Sequence, residues 1–308
     1  MIERKGFGTF SPTTHHPQRP LAMMIRARSK VQLTCLLLVC LLFTGCSTKL
    51  TYNFLDWWMG WLVRDYVTLE RDQRRQVKAA IDSFHRWHRS EQLPAYADAL
   101  EQLRDTLSRP AVSSAQLEAH GIRMSEFWDA ALDQLTAPAV ALAASLSDKQ
   151  IQQVYDNLEK KRLEYLEEYA LPDPQERQEK RVDRTRDVLQ SWLGRLDDKQ
   201  KQLIEDWSKT IQPTAKLSGD LRQQWQEELK QVLPYRDQAQ FLEENIERLM
   251  FYPEERWPQA YRDAIAHNQQ RTFELVIQLN ASLTDKQRQR RDKTFQRYID
   301  DFRELAEK

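Results

Sequence analysis

From residue 53 onward, apolar residues recur at intervals of three and four, the spacing that places them on one face of a helix. Val77, Ala80, Ile81, Phe84 and Trp87 form one such stripe, and Leu117, Met124, Phe127, Trp128 and Leu135 a second. Ile151, Val154, Leu158, Tyr165 and Tyr169 form a third; Leu203, Ile204, Trp207 and Ile211 follow, then Leu221, Trp225, Leu229 and Val232. The series closes with Tyr261, Ile265, Phe273 and Ile277, and with Phe295, Ile299 and Phe302. No stretch alternates with period two for long enough to make a sheet. Ser113 with Gln116, Ser147 with Gln150, Asp197 with Gln200 and Thr284 with Gln287 have the spacing of capping boxes, which mark helix starts. Pro110, Pro138, Pro172, Pro174, Pro213, Pro234, Pro253 and Pro258 read as stops, and Pro94 as a helix start or a kink. The pattern predicts an all-α, multi-helix bundle of about eight to ten helices with no sheet. The helical domain spans 53–308, with a possible sub-bundle boundary at Leu171-Pro172-Asp173-Pro174.

Three strings, Leu146-Ser-Asp-Lys-Gln150, Leu196-Asp-Asp-Lys-Gln200 and Leu283-Thr-Asp-Lys-Gln287, share their letters. Their unequal separations argue against a solenoid. The last resembles the Leu-Thr-x-x-Gln motif of small periplasmic stress chaperones, but a capping box requires the same letters for local reasons. Capping is the preferred reading and chaperone kinship the alternative.

One segment breaks the amphipathic rule. In Tyr52-Asn-Phe-Leu-Asp-Trp-Trp-Met-Gly-Trp-Leu-Val-Arg-Asp-Tyr66, a helix would confine Asp56, Gly60, Arg64 and Thr68 to one narrow stripe, and nearly every other side is apolar. Such a helix belongs at the centre of a bundle, wet at most on a thin edge. The alternative places Trp57, Trp58, Trp61 and Tyr66 at a membrane interface or on a partner.

The front of the chain has a different character. Arg26, Arg28 and Lys30 precede a mainly apolar run from Val31 to Phe43, too short to span a bilayer as a mature helix. Then come Thr44, Gly45 and Cys46. These zones read as a lipoprotein signal peptide over 1–45, with Phe43 departing from the usual leucine, valine or isoleucine. Residues 1–22 do not fit it, and Met23 or Met24 is the expected true start. Cys46 would carry diacylglycerol and an N-acyl chain, and 46–52 would be a lipidated tether. Ser47, in place of aspartate, points to the outer membrane. Cys35 and Cys40 would leave with the signal, so the mature chain would have no free thiol.

Charge follows the same cut. The chain carries 46 basic and 46 acidic groups; residues 1–45 hold six of the former and one of the latter, leaving 40 against 45, a net of −5. A mildly acidic protein is a poor ligand for nucleic acid. The strongest chemical cluster is His85, His88 and Glu91, three residues apart. A histidine pair with a carboxylate could hold zinc. However, this spacing presents imidazoles less well than four, and Arg86 and Arg89 would repel a cation. No metal site, cofactor or catalytic residue is therefore assigned. Phosphate-loop, Gly-x-Ser-x-Gly and His-Glu-x-x-His motifs are absent from the sequence.

Tyr52-Asn53, Asp56-Trp57, Trp61, Asp65-Tyr66, Leu69 to Gln73, Trp87-His88-Arg89 and Glu91-Gln-Leu-Pro94-x-Tyr96 resemble a proteobacterial lipoprotein family, domain of unknown function 6279. The resemblance extends over the mature chain. It implies an envelope address and brings no catalytic residues. The expected protein is an outer-membrane-anchored lipoprotein facing the periplasm, a non-catalytic binding or scaffold protein with an envelope protein partner. A stress chaperone-like protein, or an enzyme acting on cell wall or lipid, is the alternative.

Overall fold

Strong helix formers fill the chain and capped starts punctuate it, which leaves the backbone one regular option. The computed structural model describes Tyr52 and residues 54–307; the expected signal peptide, Cys46 and nearly all of the tether lie outside the described residues. Among the described residues eleven α-helices follow one another: α1 (Leu55–Tyr66), α2 (Arg71–Trp87), α3 (Leu93–Leu107), α4 (Ser114–Ser145), α5 (Asp148–Tyr169), α6 (Pro174–Leu193), α7 (Asp198–Thr210), α8 (Ala215–Val232), α9 (Ala239–Met250), α10 (Gln259–Ser282) and α11 (Asp285–Ala306). There is no strand among the described residues. Since α2 and α3 run into one another through a π turn, His88–Gln92, the segments form ten rods, within the expected eight to ten.

Two prolines behave differently from a simple stop. Pro94 follows the π turn, whose wider loop sends the Leu93 N–H to the His88 carbonyl. The helix thus continues past a residue with no N–H to give. Pro138 was expected to end a helix, yet α4 runs through it for 32 residues. The turns after it are rich in alanine, and α4 packs on α2, α9 and α10; propensity and tertiary contact outweigh the lost backbone bond.

All four expected capping boxes form. A fifth start was missed: Glu70 opens α2, with its N–H donating to Gln73 Oε1 at 2.8 Å. These starts also meet in pairs. Gln73 and Gln150 exchange amide hydrogen bonds of 3.1 and 2.6 Å. Gln200 and Gln287 do the same at 3.0 and 2.9 Å. Each glutamine also donates across the pair to the chain just before the partner's loop or within it. Gln73 reaches Ser145 O and Gln150 reaches Thr68 O; Gln200 reaches Ser282 O and Gln287 reaches Arg195 O. The leucines that lead each string, Leu69, Leu146, Leu196 and Leu283, are all buried around these pairs.

The two amide pairs are the centres of two similar halves joined at residues 170–173. Around the first, α1 packs on α2 and α5, and α2 on α4; around the second, α6 packs on α7 and α11, and α7 on α10. The halves interlock reciprocally: α3 of the first lies on α11 of the second, and α8 of the second lies on α5 of the first. Only α9 lacks a counterpart. The core follows this plan, one cluster surrounding Leu69, Leu146 and Ile151, another surrounding Leu196, Ile204 and Leu283.

The α8–α5 crossing depends on Gly219, where an added Cβ would lie 2.5 Å from Leu166 Cδ2. Gly219→Ala is expected to destabilise the fold by about 1–3 kcal/mol, the range for overpacking, despite alanine's better helix propensity. Urea denaturation checks the sign: a more stable variant would mean that Leu166 moves aside freely.

Candidate functional site: an exposed aromatic helix beside a buried histidine pair

α1 is held by one side only. Leu55 packs with Tyr52, Leu93 and Leu305, and Val63 joins the core around Val67 and Leu69. Gly60 faces Ile81 of α2, with room for ordinary contact. Near its end, Asp65 pairs with Lys161 at 3.6 Å and the Tyr66 carbonyl accepts from Asn157 Nδ2 at 3.0 Å. None of its residues is fully buried.

The other side is open. Phe54 is 63% exposed, Trp57 63%, Trp58 49%, Trp61 43% and Leu62 37%. Three and four residues apart, they form one stripe. The expectation of a central, buried helix is therefore corrected: the wet face is the aromatic one. Hydrophobicity alone could not reveal this, because the slot in the bundle needs only Leu55 and Val63 as anchors. Tyr66, grouped with the tryptophans in the sequence, is half-buried and lies at the packed end of α1. Trp128, expected in a core stripe, is 45% exposed on α4.

Just before α1, Tyr52 is buried against α2 and the π turn. Its ring lies 4.9 Å from that of His85 and 5.7 Å from that of His88, and its hydroxyl shares a 3.0 Å hydrogen bond with His88 Nδ1. The guanidinium of Arg89 sits 5.5 Å from the Tyr52 ring centroid. Tyr96 meets His88 edge-on at 5.4 Å and continues to Phe127 and Phe302. Burial, reinforced by His85, pushes the His88 imidazole down to about 4, and burial also lowers His85 and raises Tyr52. Both histidines are thus neutral at pH 7, and His85 Nε2 is buried without a partner.

This cluster pins the chain just ahead of α1. Glu91 is exposed on the π turn, its carboxylate 3.4 Å from Ser90 Oγ. No group of three histidine, cysteine or acidic side chains among the described residues could hold a metal ion. His120 bonds Thr106 and His267 bonds the Thr210 carbonyl, so each is tied into local structure. Tyr52 and Phe54 are functional candidates that reading residue by residue passed over; their place beside the tether was the available signal. No helix among the described residues is long and apolar enough to cross a membrane.

The chain matches the family described as "Family of unknown function (DUF6279)" over residues 65–262. That span is shorter than the whole mature chain, and it excludes Trp57, Trp58 and Trp61. No curated protein and no solved structure matches the chain.

Proposed function

The chain belongs to this family of unknown function (DUF6279), and from that premise we propose that it is a lipid-anchored, periplasm-facing protein of the outer membrane that works by binding rather than catalysis. The observation that carries the binding role is the exposed aromatic face of α1. Contiguous exposed patches of large apolar side chains mark interaction sites in soluble domains. This one stands next to the segment where the sequence puts a covalent lipid on Cys46. The lipid would be the only non-protein group the chain carries, and it needs no metal or coenzyme.

The chaperone reading weakens on the same structure. In Leu283-Thr-Asp-Lys-Gln287 the leucine and glutamine are buried, and Thr284 caps α11. The leucine and the glutamine are thus occupied by local structure and offer no surface to a client.

Two measurements test the proposal. Cys46→Ala is expected to abolish palmitate labelling and release the protein from the membrane fraction; labelling that persists would end the anchor. Photocrosslinking in cells from positions 57, 58 and 61 is expected to capture an envelope component. If these positions react only with water while exposed control positions capture neighbours, α1 is not a binding face.

A further inference from the structure

We propose that the aromatic face of α1 is a bilayer-contact surface, with Phe54, Trp57, Trp58, Trp61 and Leu62 seated at the boundary between headgroups and acyl chains. This rests on the lipidated-Cys46 reading above, and it names what the face touches. The contact orients the whole domain on its membrane; the covalent lipid supplies retention.

The length of the leash comes first. Tyr52 is buried and tied to His88, so the span from Cys46 to this point limits how far the domain can sit from the lipid. Six residues from Cys46 to Tyr52 extend to roughly 20 Å at most. α1, with 12 residues, is about 18 Å long. The start of the aromatic face therefore lies within about one length of α1 from the lipid attachment. Tryptophan is enriched at that depth because its ring is apolar and its N–H wants water. A helix with one apolar face lies in the interface plane.

The duplicated architecture supplies the second argument. α6 holds in the second half the place of α1 in the first: it packs on the corresponding helices and leaves by an equally short loop to a buried leucine. Counted back from Leu69 and Leu196, Phe54, Trp57, Trp58 and Trp61 correspond to Arg181, Arg184, Thr185 and Val188. Leu62 corresponds likewise to Leu189, so the second half fills this slot with three polar and two apolar side chains and no aromatic ring. Packing in that slot therefore does not by itself call for the aromatic rings of α1.

Size and charge argue for lipid over protein. Five side chains on one short helix fall well below the roughly 20–30 residues that each side of a stable protein interface uses. The exposed charges on α1, Asp56 and Arg64, are of opposite sign, and Asp65 is paired. Nothing on the helix favours an anionic partner, so the contact should be insensitive to salt and to lipid charge.

The test uses the lipidated full-length chain in phosphatidylethanolamine–phosphatidylglycerol vesicles containing lipids brominated high on the acyl chain. Three of the nine tryptophans lie in the patch, so quenching by loss of roughly a third of the emission is expected for the wild type. The variant Trp57→Ser/Trp58→Ser/Trp61→Ser should show almost none, with an unchanged far-UV circular dichroism spectrum. High salt should leave the difference intact. Equal quenching in the two proteins would overturn the proposal, as would a patch shielded only by concentration-dependent self-association or by a crosslinked protein. Absence of lipid mass on Cys46 would instead overturn the anchor, and the two failures are read separately.

Discussion

Gln200→Ala is expected to lower the unfolding free energy by roughly 2–4 kcal/mol, mostly through lost hydrogen bonds. Gln200 is completely buried, and every polar atom of its side chain is used. Its Oε1 accepts from the Asp197 N–H at 3.1 Å and from Gln287 Nε2 at 2.9 Å. Its Nε2 donates to Gln287 Oε1 at 3.0 Å and toward the Ser282 carbonyl at 3.4 Å. Truncation takes the capping partner from the Asp197 N–H and one donor and one acceptor contact from the buried Gln287 amide, and a buried polar group left short of partners costs about 1–3 kcal/mol. Gln200→Glu should be no better, because a carboxylate has no donor and would face the carbonyl oxygen of Gln287. Gln287→Ala should cost a similar amount, and the double variant less than the sum, since the second change relieves the group the first left unpaired. Denaturant titration of the four proteins closes the cycle. Strict additivity, or single costs below about 0.5 kcal/mol, would show that the amide pair is not a unit.

That pair also marks how far the sequence could be read. The helices were legible because each depends on local rules: apolar spacing, a capping box, a helix-breaking connection. The meeting of the boxes was not, because pairing is a long-range fact. A signal nevertheless existed. With Leu69 to Gln73 added to the three recognised strings, the leucines fall at 69, 146, 196 and 283. Their alternating separations then describe two copies of one plan. Glu70 hid the first copy, since glutamate is a poor helix cap compared with serine, threonine, aspartate or asparagine. Pro138 misled for the complementary reason: its local penalty is real, and packing on both sides of it prevails. At the candidate site the sequence identified Trp57, Trp58 and Trp61 as unusual, preferred the interior for their helix and kept an interface as the alternative. Whether an apolar face is inside depends on what the rest of the chain puts against it. Here only Leu55 and Val63 find partners in the core, and the face beside the tether stays open.

The same boundary between tether and domain should respond to acid. His88 is depressed to about 4 from the ordinary 6.5 by burial and by His85. The sign follows from the protons each state binds. Above pH 6.5 both states leave the imidazole neutral and the group contributes nothing to the pH dependence. Between 6.5 and 4 the unfolded chain takes up a proton that the folded cluster refuses, so stability falls with pH, by about 3 kcal/mol in total. Below 4 both states are protonated and this contribution levels off. His85 and His120 are also lowered by burial and act in the same direction. Glu159, held low by Arg162, matters only as the pH falls below its ordinary value of 4.5. The His88 share is isolated by difference. His88→Asn should be less stable than the wild type at pH 7, because it gives up the Tyr52 hydrogen bond and the ring contacts, and the two should converge toward pH 4. Parallel curves across that range would mean that His88 titrates normally and is not sealed. Convergence would have a mechanical consequence. Tyr52 stands just before α1, and its hydroxyl partner is the group that acid charges. If α1 contacts the bilayer as proposed, loosening Tyr52 would lengthen the span between Cys46 and that helix. Tryptophan quenching in vesicles should then weaken as pH falls toward 4 while the lipid stays attached to Cys46.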